Sequence, residues 1–107
     1  MTDKILVYST FSNQDEAEKI AEILLKKNLI ACANILPHTS SIYWWEGEIQ
    51  KGQEVTMIAK SINGHYKAIE ENILAEHSYD CPAILCLSID SGSESFLNWI
   101  AESTASN

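Results

Sequence analysis

The stretch Ile42-Tyr43-Trp44-Trp45-Glu46-Gly47-Glu48 decides the fold of this chain. β-Favouring residues precede it, and Val55-Thr56-Met57-Ile58-Ala59-Lys60 resumes the extended pattern after it. Two extended arms joined by one tight turn predict a β-hairpin whose turn is Glu46-Gly47. Arms this long and this aromatic cannot be covered within a small domain, so we expect a second copy of the chain to cover the tip.

The segments on either side of the hairpin show clear helical and extended periodicities. Ser12 and Asn13 predict a helix cap, and apolar residues then recur every three or four positions. Pro37 cannot donate to a strand ladder, so the strand before the hairpin is expected to bend at Pro37-His38. The predicted elements, in chain order, are a strand at 5–8, a helix after 13, strand segments at 30–36 and 39–45, a returning strand to about 60, a helix beginning between 61 and 64, a strand at 83–89, a short helix containing Phe96, Trp99 and Ile100, and a polar tail from Ala101 to Asn107.

The order β-α-β-β-α-β predicts an α+β fold: a ferredoxin-like sandwich with a long central β-hairpin and a short C-terminal helix. In this fold both crossover helices cover one face of a four-stranded antiparallel sheet. The other face is left to the short last helix. Uncovered apolar sheet surface predicts association between chains.

Length, charge and cysteine count bound the class of protein. At 107 residues the chain is predicted to be one domain, 1–107. The net charge of −8 and the absence of arginine argue against a nucleic-acid partner. No apolar stretch approaches the roughly 20 residues that span a bilayer, and the N-terminus lacks the pattern of a secretion signal, so no membrane insertion is expected. Three cysteines, an odd number, indicate reduced thiols and predict a cytoplasmic location.

Candidate metal ligands are few and scattered. His77, Tyr79 and Cys81 alternate in the loop after the second predicted helix, so an extended loop would place them on one side. Imidazole and thiolate together suit copper or zinc. Alternatively, His77 caps the helix and Tyr79 packs the loop. Cys32 lies in an apolar strand, where a core role competes with a ligand role, and Cys86 is expected to be buried.

No residue pattern specifies a reaction. The chain has no G-x-S-x-G elbow, phosphate loop or dinucleotide turn, so we expect no enzymatic activity and no organic cofactor. Glu46 and Glu48 form a candidate carboxylate pair at the hairpin tip, and Lys60 is the basic residue at the end of the arm. Solvation of the turn and a surface or interface ion pair are the simpler roles for these residues.

Five segments together resemble the divalent-cation tolerance protein CutA family. The segments are Ile30-Ala31-Cys32-Ala33-Asn34-Ile35-Leu36-Pro37, Ser41 to Gly47, Glu54 to Lys60, His77-Ser78-Tyr79 and Pro82-Ala83-Ile84. The likeness covers nearly the whole chain and keeps the order and spacing of the segments. Its most specific part is the aromatic-Trp-Glu-Gly block combined with the Ala-Cys-x-Asn strand.

The resemblance implies a fold similar to the PII signalling proteins and a tight homotrimer, with hairpins packed across subunits and clefts between neighbours. It also implies tolerance to copper and other divalent metals, with Cu2+ or Zn2+ bound through Cys32, His77 and Tyr79. The positions that match the family's intersubunit interface or cleft are Tyr43, Trp44, Trp45, Glu46 and Lys60.

The chain also departs from the family pattern. Ser78 replaces the usual proline between His77 and Tyr79, His38 stands where glycine is common, Cys81 is not a usual family residue, and the first strand has no thiol. We therefore expect a non-enzymatic cytoplasmic homotrimer associated with divalent metal tolerance that binds divalent cations at intersubunit clefts. The alternatives are a PII-like small-molecule sensor and a trimeric signalling or adaptor scaffold; no other protein partner is indicated.

Overall fold

The computed structural model describes residues 2–105. Its elements follow the predicted order: β1 (Lys4–Phe11), α1 (Gln14–Lys26), β2 (Cys32–Trp45), β3 (Glu48–Ile62), α2 (Tyr66–Glu76, after a 3-10 turn at Asn63–His65), β4 (Ile84–Ser88) and α3 (Glu94–Ser103). The strands form one antiparallel sheet in the order β2-β3-β1-β4. This arrangement confirms the predicted ferredoxin-like fold. Among residues 2–105, each helix is too short or too polar to cross a bilayer.

One face of the sheet carries α1 and α2 and holds the hydrophobic core. Asn13 caps α1 by accepting a hydrogen bond from the Glu16 amide at 2.8 Å, as its position predicts. The apolar stripe of α1 is then fully inside, since its spacing of three and four residues keeps it on one side of the helix. The core is built from Ala17, Ile20, Ala21 and Leu24 of α1, Ile69 and Ile73 of α2, and alternate residues of β1 and β3, among them Ile5, Val7, Phe11, Met57 and Ala59.

The opposite face, called here the open face, carries α3. This helix packs against β1 and β3. Its central residue Ile100 is fully buried, yet it is not part of the core beneath α1 and α2. Elsewhere on the open face, Leu85 and Leu87 of β4 are 57% and 47% exposed. These side chains are the uncovered apolar sheet surface that the sequence predicts.

β2 and β3 extend beyond the rest of the sheet as a two-stranded hairpin. β1 pairs with β3 only between Val55 and Ile62, so the arm that runs from Thr39 to Glu54 has no third strand. Glu46 and Gly47 have φ angles of 50° and 80°. Two consecutive positive φ angles define a type I′ turn and confirm the predicted position of the turn.

The bend predicted at Pro37-His38 is a β-bulge. The pairing shifts between Leu36 and Thr39, and His38 has a φ of 64°. The extra residue reverses which side chains of β2 face each side of the sheet. Beyond the bulge, odd-numbered residues of β2 therefore share the open face with the even-numbered residues of β3.

Two sequence-based expectations are wrong. Cys86 is exposed rather than buried, because β4 is an edge strand with a neighbour on one side only. The polar tail does not begin at Ala101, since α3 continues to Ser103 and Thr104 is buried with its hydroxyl donating to the Ile100 carbonyl at 2.8 Å. The last two residues of the predicted tail, 106 and 107, lie outside the described residues.

Candidate functional site

A cleft of about 730 Å³ lies on the open face at the base of the hairpin. The bulge places Tyr43 and Trp45 in its wall, whereas Trp44 between them lies on the other side of the hairpin. Tyr8 of β1 and Tyr79 of the loop after α2 supply two more rings. The cleft therefore has aromatic walls contributed by three separate parts of the chain.

The loop between α2 and β4 forms one side of the cleft and is held at several points. The His77 amide ends α2 by bonding back to its last turn at 2.9 Å. The Ser78 amide donates to Glu16 Oε2 at 3.1 Å, and Ser9 Oγ donates to the Ala83 carbonyl at 2.6 Å. These bonds fix the loop against α1 and β1, so the groups it presents to the cleft are preorganised.

The His77 side chain is fully buried and stacks on Phe11, with ring centroids 4.7 Å apart. Nε2 lies 2.8 Å from the Thr10 carbonyl, which can only accept, so Nε2 carries a proton. Nδ1 accepts a hydrogen bond from the Tyr79 amide at 3.0 Å. The imidazole is therefore neutral and both nitrogens are occupied, which leaves no lone pair for a metal ion in this arrangement. The structure corresponds to the alternative in which His77 closes the helix and packs.

Tyr79 joins this loop to the hairpin. Its hydroxyl donates to Glu54 Oε2 at 2.8 Å, and Ser41 Oγ donates to Glu54 Oε1 at 2.6 Å. Burial and the neighbouring Glu54 carboxylate raise the pKa of Tyr79 to about 12. The phenol is therefore protonated at neutral pH and acts as a hydrogen-bond donor rather than as an anionic metal ligand.

Glu16 lies behind the loop, in the layer between α1 and His77. One carboxylate oxygen accepts from the Ser78 amide, while Oε1 is buried, lies 4.0 Å from His77 Nδ1 and has no hydrogen-bond partner among residues 2–105. A buried carboxylate oxygen without a donor destabilises its surroundings. Glu16 thus holds the loop through Oε2, while its Oε1 is a buried acceptor without a donor.

Cys32 lies far from this loop. It is half-buried and pairs with Lys60 across β2 and β3, and Lys60 donates a hydrogen bond to Asn34. Lys60 pairs with β1 at a position four residues before Thr10, and Thr10 is the residue that His77 contacts. Four residues of extended strand span about 13 Å. A single chain does not bring the three predicted metal ligands together. Within residues 2–105, no three His, Cys, Asp or Glu side chains are grouped so as to hold a metal ion.

The predicted interface residues fall into separate groups. Trp44 is 72% exposed beside Ile42 and Ile49, on the side of the hairpin away from the cleft. Glu46 occupies the exposed turn. Roughly 45 Å of extended strand separates Glu46 from Lys60, so one chain does not place them in the same cleft.

Glu54 is the hydrogen-bond acceptor at the centre of the site. It is not among the site residues predicted from the sequence. Strand alternation could have found it, because Glu54 shares a face of β3 with Thr56 and Lys60. Its partner Ser41 is harder to predict. The face of the sheet on which Ser41 lies depends on which residues form the bulge. A proline in the sequence does not by itself fix the position of the bulge.

Comparison with known proteins adds sequence and structural relatives. The family model of the CutA1 divalent ion tolerance protein matches residues 5–103. The chain is 42% identical to the divalent-cation tolerance protein CutA of Pyrococcus horikoshii, over 94% of this chain and 97% of that protein. It is 36% identical to the chloroplastic protein CutA 1 of Oryza sativa over 94% of this chain, and it spans 56% of that protein.

Among solved structures, the periplasmic divalent cation tolerance protein CutA of Archaeoglobus fulgidus has a similar fold. It superposes with a TM-score of 0.92 at 38% identity, covering 95% of this chain and 99% of that one. The match of the family model over residues 5–103 includes the hairpin and the loop that form the cleft. The chain belongs to the CutA1 divalent ion tolerance protein family.

Proposed function

We propose that this protein acts without catalysis, as a cytoplasmic homotrimer in the response to divalent metal ions, and binds Cu2+ or Zn2+ where subunits meet. The observation that carries the proposal is the exposed apolar side of the hairpin. Ile42, Trp44 and Ile49 are 67%, 72% and 59% exposed on an arm that has no third strand. A contiguous apolar surface of this kind marks an interaction site.

The open face supplies a second surface of different shape. Leu85 and Leu87 are exposed there, and the outer edge of β4 has unpaired backbone groups among the described residues. Contact between two different surfaces of identical chains is heterologous and closes into a ring when the rotation permits it. A ring of three is the assembly that the family resemblance implies.

The metal part of the proposal rests on charge and on the family. The net charge of −8 attracts cations, and the relatives in Pyrococcus horikoshii and Archaeoglobus fulgidus are named for divalent-cation tolerance. His77 and Tyr79 already have hydrogen-bond partners. Ligands for Cu2+ or Zn2+ would therefore be Cys32 and carboxylates contributed by more than one chain.

Calorimetric titration of the metal-free protein with zinc(II) and, under anaerobic conditions, with copper(II) tests this proposal. We expect saturable binding that Cys32→Ser weakens at least about tenfold, because a thiolate ligand is lost. Glu71→Gln on the exposed side of α2 is the matched control and should leave binding unchanged. If neither zinc(II) nor copper(II) binds saturably, the proposal that the protein binds divalent metal ions is wrong.

The cytoplasmic location is supported by the cysteines. Cys32, Cys81 and Cys86 are all free thiols, and reduced thiols are typical of the cytoplasm. Cell fractionation with compartment markers tests this, and recovery of the protein in a periplasmic fraction would contradict it. The comparison is informative because the Archaeoglobus fulgidus relative is described as periplasmic.

The cleft favours a second candidate function, that of a PII-like small-molecule sensor. Its volume of about 730 Å³ lies within the range of small-molecule sites. A ligand that binds the folded state raises the melting temperature, and the rise grows with the logarithm of ligand concentration relative to Kd. A thermal-shift screen of metabolites would support the sensor by a saturable rise and exclude every compound that gives none.

A further inference from the structure

We propose that Lys51 of each chain enters the cleft of a neighbouring chain and forms an ion pair there with the neighbour's Glu54. The pairing rests on the proposed function, since it is a polar contact within the proposed trimer. Two observations carry it. The two sides of the hairpin arm have opposite charges, and Glu54 has no cation beside it in its own chain.

The two sides of the arm differ in charge because directly paired residues share one side of a two-stranded ribbon. The outer side presents the exposed apolar residues described above and one charged residue, Lys51, which pairs with Ile42. The side on the open face carries Glu48 and Glu54, and Lys51 is the one lysine between residues 39 and 54. The outer side is therefore apolar with a positive charge, and the other side is negative.

Lys51 has no ionic partner in its own chain within the described residues 2–105. The lysines that do have a side-chain partner there are Lys4, Lys19, Lys27, Lys60 and Lys67. Lys51 and Glu54 are separated by an odd number of positions on β3, so their side chains point to opposite sides of the arm. An ion pair between these two residues therefore joins two chains.

Glu54 needs a cation as soon as another chain covers the cleft. Its oxygens accept hydrogen bonds from the neutral hydroxyls of Ser41 and Tyr79, which leave its charge uncompensated. The described lining of the cleft adds Asp80 and includes no lysine. A covering chain removes water from the Glu54 carboxylate, and burial of an unpaired charge is costly. A covering surface that brings an ammonium group avoids this cost.

The apolar residues beside Lys51 match the surface beside the cleft. Tyr8 in the cleft wall pairs with Leu85 of β4, so the exposed Leu85 and Leu87 continue that wall across the open face. Ile42, the cross-strand partner of Lys51, is 67% exposed. The outer side of the arm thus offers apolar area and one cation to a surface that offers apolar area and carboxylates. Complementary charges of this kind fix the register of an interface.

The ion pair lies at the base of the hairpin. Glu54 pairs with Thr39 next to the bulge, whereas Trp45 is six residues further along β2, or roughly 20 Å of strand. Lys51 of the neighbour therefore reaches the end of the cleft that is far from Trp45. Each chain gives a lysine to one neighbour and receives a lysine from the other, which is the heterologous contact that closes a ring.

A double-mutant cycle on the full-length protein tests the pair. Lys51→Met keeps the aliphatic stem and removes the charge, and Glu54→Gln removes the charge and keeps an acceptor for Tyr79. Native mass spectrometry of mixed nitrogen-15-labelled and unlabelled protein gives the rate at which chains exchange between assemblies. Changes at an interface act mainly on dissociation, so this rate reports them even for a tight assembly.

We expect Lys51→Met to accelerate exchange about tenfold or more, because the neighbour's Glu54 is left buried without a cation. In the Glu54→Gln background the same substitution should accelerate exchange less than about threefold, since the charge that needs Lys51 is gone. Lys51→Arg keeps the positive charge and should exchange like the wild type. Lys26→Met, on the exposed side of α1, makes the same change in net charge and should have no effect.

Two results would overturn the ion pair and leave the trimer standing. They are exchange that Lys51→Met does not accelerate, and an acceleration of the same size in the wild-type and Glu54→Gln backgrounds. Wild-type spectra that contain single chains alone would overturn the trimer and the ion pair together. Circular dichroism of each variant shows that the comparison is between folded proteins.

Discussion

The Tyr79 hydroxyl donates a hydrogen bond to Glu54 Oε2 at 2.8 Å and so joins the loop after α2 to the base of the hairpin. The two residues are 25 positions apart in sequence. Behind Tyr79, the ring of His77 lies at a centroid distance of 4.8 Å and stacks in turn on Phe11. These contacts connect the core to the wall of the cleft.

Removing the Tyr79 hydroxyl should destabilise the protein. In Tyr79→Phe the half-buried Glu54 carboxylate loses one of its two donors, and we expect the free energy of unfolding to fall by about 1–2 kcal/mol. Urea denaturation at fixed protein concentration measures the change, since the stability of the proposed trimer depends on concentration. Tyr8→Phe, in the same cleft, is the control. Equal stability of the wild type and Tyr79→Phe would show that the bond contributes nothing.

The same pair predicts a dependence of stability on alkaline pH. The pKa of Tyr79 is about 12 in the folded protein, above the ordinary value of 10.0. Between these values the unfolded chain releases a proton that the folded chain keeps, so the contribution is complete below pH 10 and is lost as the pH rises towards 12. The free energy of unfolding of the wild type should fall more steeply over this interval than that of Tyr79→Phe. Parallel curves would contradict the raised pKa.

Replacing His77 should be more damaging than replacing Tyr79. His77→Ala removes a fully buried ring from Phe11 and leaves the Thr10 carbonyl and the Tyr79 amide without their partners. We expect a loss of about 2–4 kcal/mol in the free energy of unfolding. Nitrogen-15 NMR of the wild type should show a neutral imidazole protonated at Nε2. A protonated Nδ1 at neutral pH would refute this assignment of the ring.

The two adjacent tryptophans should differ in their effect on assembly. Trp44 lies with Ile42 and Ile49 on the outer side of the hairpin, whereas Trp45 lines the cleft. Trp44→Ser should weaken the association of chains by about 2 kcal/mol per interface, since large aromatic residues dominate interface energies. Trp45→Ser should change assembly much less. Dissociation curves from analytical ultracentrifugation give both values, and a larger effect of Trp45→Ser would reverse the assignment.

The fold follows from the sequence because its signals are local. The Glu46-Gly47 turn, the Asn13 cap and the apolar spacing of α1 each act over a few residues, and the structure confirms all three. Cys86 was expected inside because its neighbours are apolar. Its exposure depends on β4 being an edge strand, which is a property of the whole sheet.

The candidate site is predicted less well, because it depends on contacts between distant segments. The sequence shows that His77 and Tyr79 alternate in one loop, but it does not show that the ring nitrogens are taken up by Thr10 and by the Tyr79 amide. It likewise does not show that the bulge at His38 separates Trp45 from Trp44. A change of one residue in register moves every following side chain to the other face of the hairpin.

We propose that three chains assemble through the hairpin, and sedimentation equilibrium of the purified protein at micromolar concentration measures the mass of the assembly. We expect a single species with the mass of three chains, and a shift towards one chain for Trp44→Ser. A wild-type mass of one chain across this concentration range would refute the trimer.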